Sequence, residues 1–287
     1  MKNAISDMPY LGMCAWLLKG GRLVDRVEWL IKNGFTGISF LQNIADTEEK
    51  ECKDAAAAII SAGFNVTYHG NVHHRLSTDG KLDTEFIKRL IDNVIWWHEN
   101  TRGVYSCCFD SMSLPAAPKN FAFDLNKEYM ELLSTGLKKY GIRVGIENAP
   151  KFSNVKDIEL FKKSCNNLNI GMLFDAGHAN MHARTDKVQG EEEIGEYYSK
   201  LPIEVLEIHF SDNFGEKDEH KFLGYGNLDI RSLIKKVKKK PFKGQFSIEV
   251  CKDILSGQYG LDINDPEDMD NILRSKDKIM KAWIEAR

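Results

Sequence analysis

A chain of 287 residues with 43% hydrophobic and 28% charged side chains has the apolar surface for a large core and polar groups to cover it, which excludes disorder as its global state. A formal charge of −3 argues against a broad polyanion-binding face, because neutralising phosphates requires clustered Lys and Arg. No apolar run reaches the roughly 20 residues of a membrane-spanning helix, no charged-then-apolar leader opens the chain, and Cys14, Cys52, Cys107, Cys108, Cys165 and Cys251 form no CxxC pair, so a cytoplasmic protein with free thiols is expected.

The first apolar run covers 10–16, and Leu23, Val27, Leu30 and Ile31 then return at helical steps. Runs at 37–40, 65–69 and 104–109 follow, the last two separated by a second helical period through Phe86, Ile87, Leu90, Ile91, Val94 and Ile95. Further runs at 143–147, 170–175, 205–210 and 245–250 bring the strands to eight. Strictly alternating strands and helices give βαβ units and a parallel sheet. With no GxGxxG after the first strand and eight repeats, the expected fold is α/β, a single (β/α)8 TIM barrel, with 1–287 as one domain. Gly34, Gly63, Gly141 and Gly244 stand just ahead of strands, and three of them directly follow helical patterns as left-handed C-terminal caps do.

Two long connections stand out. The stretch 111–123, containing Pro115 and Pro118, follows the fourth strand and is expected to be a lid or wall over the barrel mouth, and the charged, glycine-rich stretch 211–227 follows the seventh. The basic run Lys235, Lys236, Lys238, Lys239 and Lys240 reads as a solvated helix face rather than a nucleic-acid patch.

In such a barrel the C-terminal strand ends converge on one cavity. Five of the eight end in a ligand-type residue: His69, Glu147, Asp175, His209 and Glu249. Any one alone is read most simply as a hydrogen-bonded rim residue, but several carboxylates aimed at one cavity repel each other, and a divalent cation is the common remedy. Glu147, Asp175, Glu249 and His209 would make an oxygen-rich site for one divalent ion, Mn²⁺, Mg²⁺ or Co²⁺, with Zn²⁺ tolerated. His178, three residues after Asp175 across a glycine that permits a tight bend, faces the same cavity in this reading. Asp218 and His220 add an acid and an imidazole on the loop after strand seven, where Asp212 and Asn213 are also given a site role. His73 and His74 read as rim residues, Cys107 and Cys108 as small buried hydrophobes on opposite faces, and Trp16 as either pocket wall or packing.

Ile146-Glu147-Asn148, Phe174-Asp175-Ala176-Gly177-His178, His209-Phe210-Ser211-Asp212-Asn213, the Asp218, His220, Gly224, Gly226 loop and Ser247-Ile248-Glu249 together resemble the sugar phosphate isomerase/epimerase family, the barrel group that also holds endonuclease IV, ketose 3-epimerases and xylose isomerases. The likeness covers nearly the whole chain. It implies that Glu147, Asp175, His209 and Glu249 hold one divalent ion, that Glu147 and Glu249 are also the catalytic acid/base pair, and that His178 binds a substrate oxygen; His69, Asp218 and His220 are expected to contact substrate beside it. The implied activity is isomerisation or epimerisation of a small polyhydroxy substrate (sugar, sugar phosphate or cyclitol) by proton transfer beside a metal-bound carbonyl through an enediolate. No nucleic-acid or membrane partner is implied, and homo-oligomerisation is compatible with the pattern. Gly215 stands where the ketose epimerases place an arginine, which argues against ketose 3-epimerisation in particular.

Two rivals accompany this reading. An endonuclease IV-like phosphodiesterase on abasic DNA is suggested because His69, Glu147, Asp175, His178, His209, Asp218, His220 and Glu249 each match a ligand of its three-metal cluster. Strand four, however, offers no matching histidine, so such a cluster is expected to lack a ligand. A catalytically inactive sugar-binding barrel is the other, and two opposed glutamates speak against it.

Overall fold

The computed structural model describes residues 7–41, 47–70, 80–112, 119–149, 152–166, 168–185, 193–252 and 259–286. Eight strands lie where the apolar runs placed them: β1 (Tyr10–Cys14), β2 (Gly37–Phe40), β3 (Asn65–Gly70), β4 (Val104–Asp110), β5 (Arg143–Glu147), β6 (Ile170–Asp175), β7 (Val205–Phe210) and β8 (Gln245–Ile248). All neighbours pair in parallel, and β8 returns to β1 through Tyr10↔Gln245 to Met13↔Ile248, which closes the barrel. Strand one is shorter than expected, because Ala15–Leu17 turn into a short 3-10 helix. Strand eight ends at Ile248, with Glu249 just beyond it and its N–H donating to Phe210 O at 3.0 Å.

The helices are α1 (Leu23–Lys32), α2 (Glu49–Ala62), α3 (Thr84–Asn100), α4 (Lys119–Leu137), α5 (Val155–Ser164), α6 (Ala176–Thr185), α7 (Ile194–Lys200), α8 (Ile230–Val237) and α9 (Pro266–Glu285). Several start where a short polar side chain catches an orphan amide: Asp83 accepts from Phe86 N at 2.9 Å, Asp229 from Ser232 N at 3.0 Å, and Asp265 from Glu267 N at 2.9 Å with Pro266 opening the helix. Gly34, Gly63 and Gly141 take positive φ as helix-ending residues, whereas Gly244 does not. The expected lid at 111–123 is helical from Lys119 onward, and 113–118 lies outside the described residues. No helix of the described residues is long and apolar enough to cross a membrane.

Apolar helix faces pack on the outer face of the barrel, as in the stacking of Phe40 on Trp97 with ring centroids 4.2 Å apart. The lumen holds two further groups. Cys108, Leu173 and Leu206, from strands that are not all neighbours, form a small apolar cluster of their own, while Cys107 joins the main core. Thr67 Oγ1 on β3 donates to Glu207 Oε1 on β7 at 2.8 Å, a contact that must cross the lumen. Both Leu206 and Glu207 reach these groups because β7 carries an extra residue opposite Met172 and Leu173 of β6, a bulge that re-aims its side chains. The lysine run covers helix ends as expected of a solvated face: Lys236 pairs with Glu196, and Lys238 caps Trp283 O and Ala286 O.

Candidate metal centre at the barrel mouth

Strand order carries Glu147, Asp175, His209 and Glu249 to one end of the barrel together with the substrate-contact candidates. His69 Nε2 lies 3.1 Å from Glu147 Oε2 and 3.3 Å from Asp110 Oδ1. His178 Nδ1 is 3.1 Å from Glu147 Oε1 and donates to Asn148 O at 2.7 Å, and its Nε2 is 3.1 Å from Asp218 Oδ2. Asp218 also meets His220 Nε2 at 3.1 Å, and His209 Nδ1 meets Glu249 Oε2 at 2.8 Å. Ligand atoms within 4.8 Å of one another occur in four groups among the described residues: Glu147, Asp175 and His178; Cys14, His209 and Glu249; His69, Asp110 and Glu147; and His178, Asp218 and His220. The four expected cation holders thus fall into two halves, Glu147 with Asp175 and His209 with Glu249, and no one group contains all four.

Local structure explains how Asp175 is held. Its N–H donates to Asn148 Oδ1 at 2.7 Å, and Asn148 Nδ2 donates to its carbonyl at 2.9 Å. Its Oδ1 accepts from His178 N at 2.6 Å, so the acid caps the helix that starts directly after β6. The expected tight bend at Gly177 is therefore a helical turn instead. The glycine serves close packing, since a Cβ there would collide with Ser211 Oγ. Asp175 Oδ2, fully buried, has no hydrogen-bond partner among the described residues. An unpartnered buried carboxylate oxygen among imidazoles and carboxylates is chemistry that a divalent cation satisfies, so these residues fit one.

The loop after β7 is shaped by Asp212, whose carboxylate accepts from Asn213 N at 2.9 Å, Gly224 N at 2.7 Å and Leu228 N at 3.0 Å. Asp212 and Asn213 accordingly organise the loop that delivers Asp218 and His220. His220 sits at φ 46°, a left-handed conformation uncommon outside glycine, and is anchored by its carbonyl accepting from Cys251 N and by Nδ1 at 3.1 Å from Glu249 O. The half-buried Trp16 ring lies 5.3 Å from that of His69 and 6.2 Å from that of His209, which makes it an apolar wall of the site. His73 and His74 lie outside the described residues.

Two residues were missed by sequence reasoning. Asp110 was lost because strand four was ended at Phe109, one residue short, yet it is an acid at a strand end like the others. It occupies the place beside His69 and Glu147 where a ligand from strand four was expected to be lacking. Glu207, wholly buried and 3.4 Å from His209 Nε2, had no signal beyond its position two residues before a site histidine.

Within the cluster, acids and imidazoles shift one another's charge. Burial lifts Glu147, and Asp110 beside it adds to this, so that its pKa rises to about 7 against the pull of His178 and His69. Burial would lift Glu249 also, but the charge of His209 and its hydrogen bond, with His220 and His69, hold it at about 2. Burial opposes the charge of His69 and His220, yet Asp110 for the first and Asp218 for the second raise each to about 10. Burial lifts Asp175 above the usual carboxylate range.

Residues 27–275 match the family described as xylose isomerase-like TIM barrel. The chain belongs to that family. MJ1311 of Methanocaldococcus jannaschii is 34% identical over 115 residues, 38% of this chain and 37% of that protein, so the chain matches little more than a third of this curated relative. Among solved structures, a D-tagatose 3-epimerase-like protein superposes with a TM-score of 0.71 at 18% identity, covering 96% of this chain and 97% of that one. The D-psicose 3-epimerase of Clostridium cellulolyticum H10, solved with D-tagatose, gives 0.72 at 12% identity, covering 96% and 99%. At these identities the likeness is one of fold.

Proposed function

We propose that the barrel mouth binds a divalent cation through Glu147, Asp175, His209 and Glu249 and isomerises or epimerises a small polyhydroxy carbonyl compound. The observation that carries this is the buried set of acids and imidazoles converging there, with Asp175 Oδ2 left without a partner among the described residues. When bound, the cation supplies a Lewis acid that polarises a carbonyl and favours the negative charge developing on its oxygen. Glu147 ends β5 and Glu249 follows β8, three strands apart, so their carboxylates approach a substrate carbon from different sides, one to take the proton and the other to return it. His69, His178, Asp218 and His220 bind and orient substrate hydroxyls, and Trp16 excludes water from one wall. The sugar epimerases of like fold support a ketose or related sugar as the substrate class, whereas Gly215 weighs against 3-epimerisation.

The experiment is incubation of the Mn²⁺- or Co²⁺-supplemented protein with a panel of ketoses, aldoses and cyclitols in deuterated water. Incorporation of deuterium beside the carbonyl is expected from wild type and lost in Glu147→Gln and Glu249→Gln. Exchange at the wild-type rate in either variant refutes the acid/base assignment.

A second reading, a multi-metal phosphodiesterase, is favoured by Asp110 beside His69 and Glu147 and by the separate His178, Asp218 and His220 group. Metal counting separates the two: one equivalent per chain supports the isomerase, and three with hydrolysis of abasic DNA support the alternative.

A further inference from the structure

Glu207 is a fully buried acid in the barrel lumen to which the reading above gives no part. Its Oε1 accepts from Thr67 Oγ1 at 2.8 Å and from Ser247 Oγ at 2.5 Å, and stands 3.4 Å from His209 Nε2. The network is directional. Gln245 Nε2 donates to Thr67 Oγ1 at 3.2 Å and to Ser247 Oγ at 2.9 Å, so both hydroxyls receive from the amide and pass their own protons to Glu207. Two hydroxyl donors on one oxygen stabilise the carboxylate form, and an ionised group in a lumen requires such partners. The other ring nitrogen of His209, Nδ1, faces the mouth, 2.8 Å from Glu249 Oε2.

We infer that Glu207 is a positioning residue that accepts the Nε2–H of His209 and so fixes the tautomer presenting the Nδ1 lone pair to the cation, an inference that rests on His209 being a cation ligand. A neutral imidazole carries one proton, and anchoring it on the lumen side leaves the mouth side free to coordinate. A carboxylate on the distal nitrogen also strengthens the ring as a donor to a metal. Cys14 Sγ, 3.7 Å from the same Nε2, is the competing acceptor, and a thiol accepts weakly.

The test uses the full chain with Mn²⁺ and Co²⁺ as probes in titration calorimetry, on wild type, Glu207→Gln and Glu207→Leu, with circular dichroism to verify folding. The amide still offers an oxygen to Nε2–H, so affinity should rank wild type, then Gln, then Leu, the last lower by about 10–100-fold. The visible bands of bound Co²⁺ should shift in the Leu variant, which a purely structural role would not produce. In wild type carrying ¹⁵N-labelled histidine and Zn²⁺, the signal absent from His209→Gln should show a protonated Nε2 and a coordinated Nδ1, a readout that stands even where neither Glu207 variant folds. Folded variants with wild-type affinity and unchanged Co²⁺ bands, or coordination through Nε2, overturn the inference alone. Wild type that binds neither ion overturns the cation site and the inference with it.

Discussion

Asn148→Ala tests how the site is held. Asn148 is fully buried and its amide makes two hydrogen bonds to the backbone of Asp175, at 2.7 and 2.9 Å. Alanine leaves that N–H and C=O without these partners in a closed barrel wall, and each buried unsatisfied group costs about 1–3 kcal/mol. The sum, about 2–6 kcal/mol, is a large fraction of the roughly 5–15 kcal/mol that stabilises a folded domain. At about 2 °C per kcal/mol for a chain of this size, Tm should fall by about 4–12 °C in differential scanning calorimetry. Asn148→Asp keeps the acceptor, loses the donor and adds a buried carboxylate, so it should do no better than alanine. The released Asp175 should also weaken Mn²⁺ binding. A Tm within about 1 °C of wild type in the alanine variant would refute this account of the clamp.

Gly177→Ala should destabilise by about 1–3 kcal/mol in urea denaturation, because its Cβ would collide with Ser211 Oγ, and the added change Ser211→Gly should recover most of the loss. In chelator, stability should decline as pH rises from about 6.5 to about 10. His220, with an unfolded pKa near 6.5, is raised to about 10 in the fold through Asp218 and Glu249, so its contribution is complete below the first value and lost through the second. His220→Asn, which tolerates the left-handed backbone, should flatten that slope in thermal melts. Saturating Mn²⁺ should raise Tm relative to chelator, by an amount that grows with free ion concentration. An unchanged Tm would count against the site.

Much of the barrel was legible in the chain because its signals are local. Strand runs such as 170–174 carry no charged residue since both faces are covered, and helices stop at glycines such as Gly34 and Gly63 whose left-handed backbone needs no help from distant parts. The candidate site residues announced themselves by standing at strand ends. The failures were failures of boundary and of aim: Asp110 slipped into a loop by one residue, and a glycine assigned to a bend proved to be needed for helix-to-strand packing.

Sequence alone thus determined the eight-fold alternation and the residues offered to the mouth, because period and capping act within a few residues. Only the closed sheet decided who meets whom. Thr67 reaches Glu207 across the lumen, Glu147 finds Asp110 on the next strand and His69 one strand further, and a bulge in β7 turns both Leu206 and Glu207 inward. The first of these contacts joins positions 140 residues apart, and their geometry follows from strand stagger and closure, which no local pattern of side chains encodes.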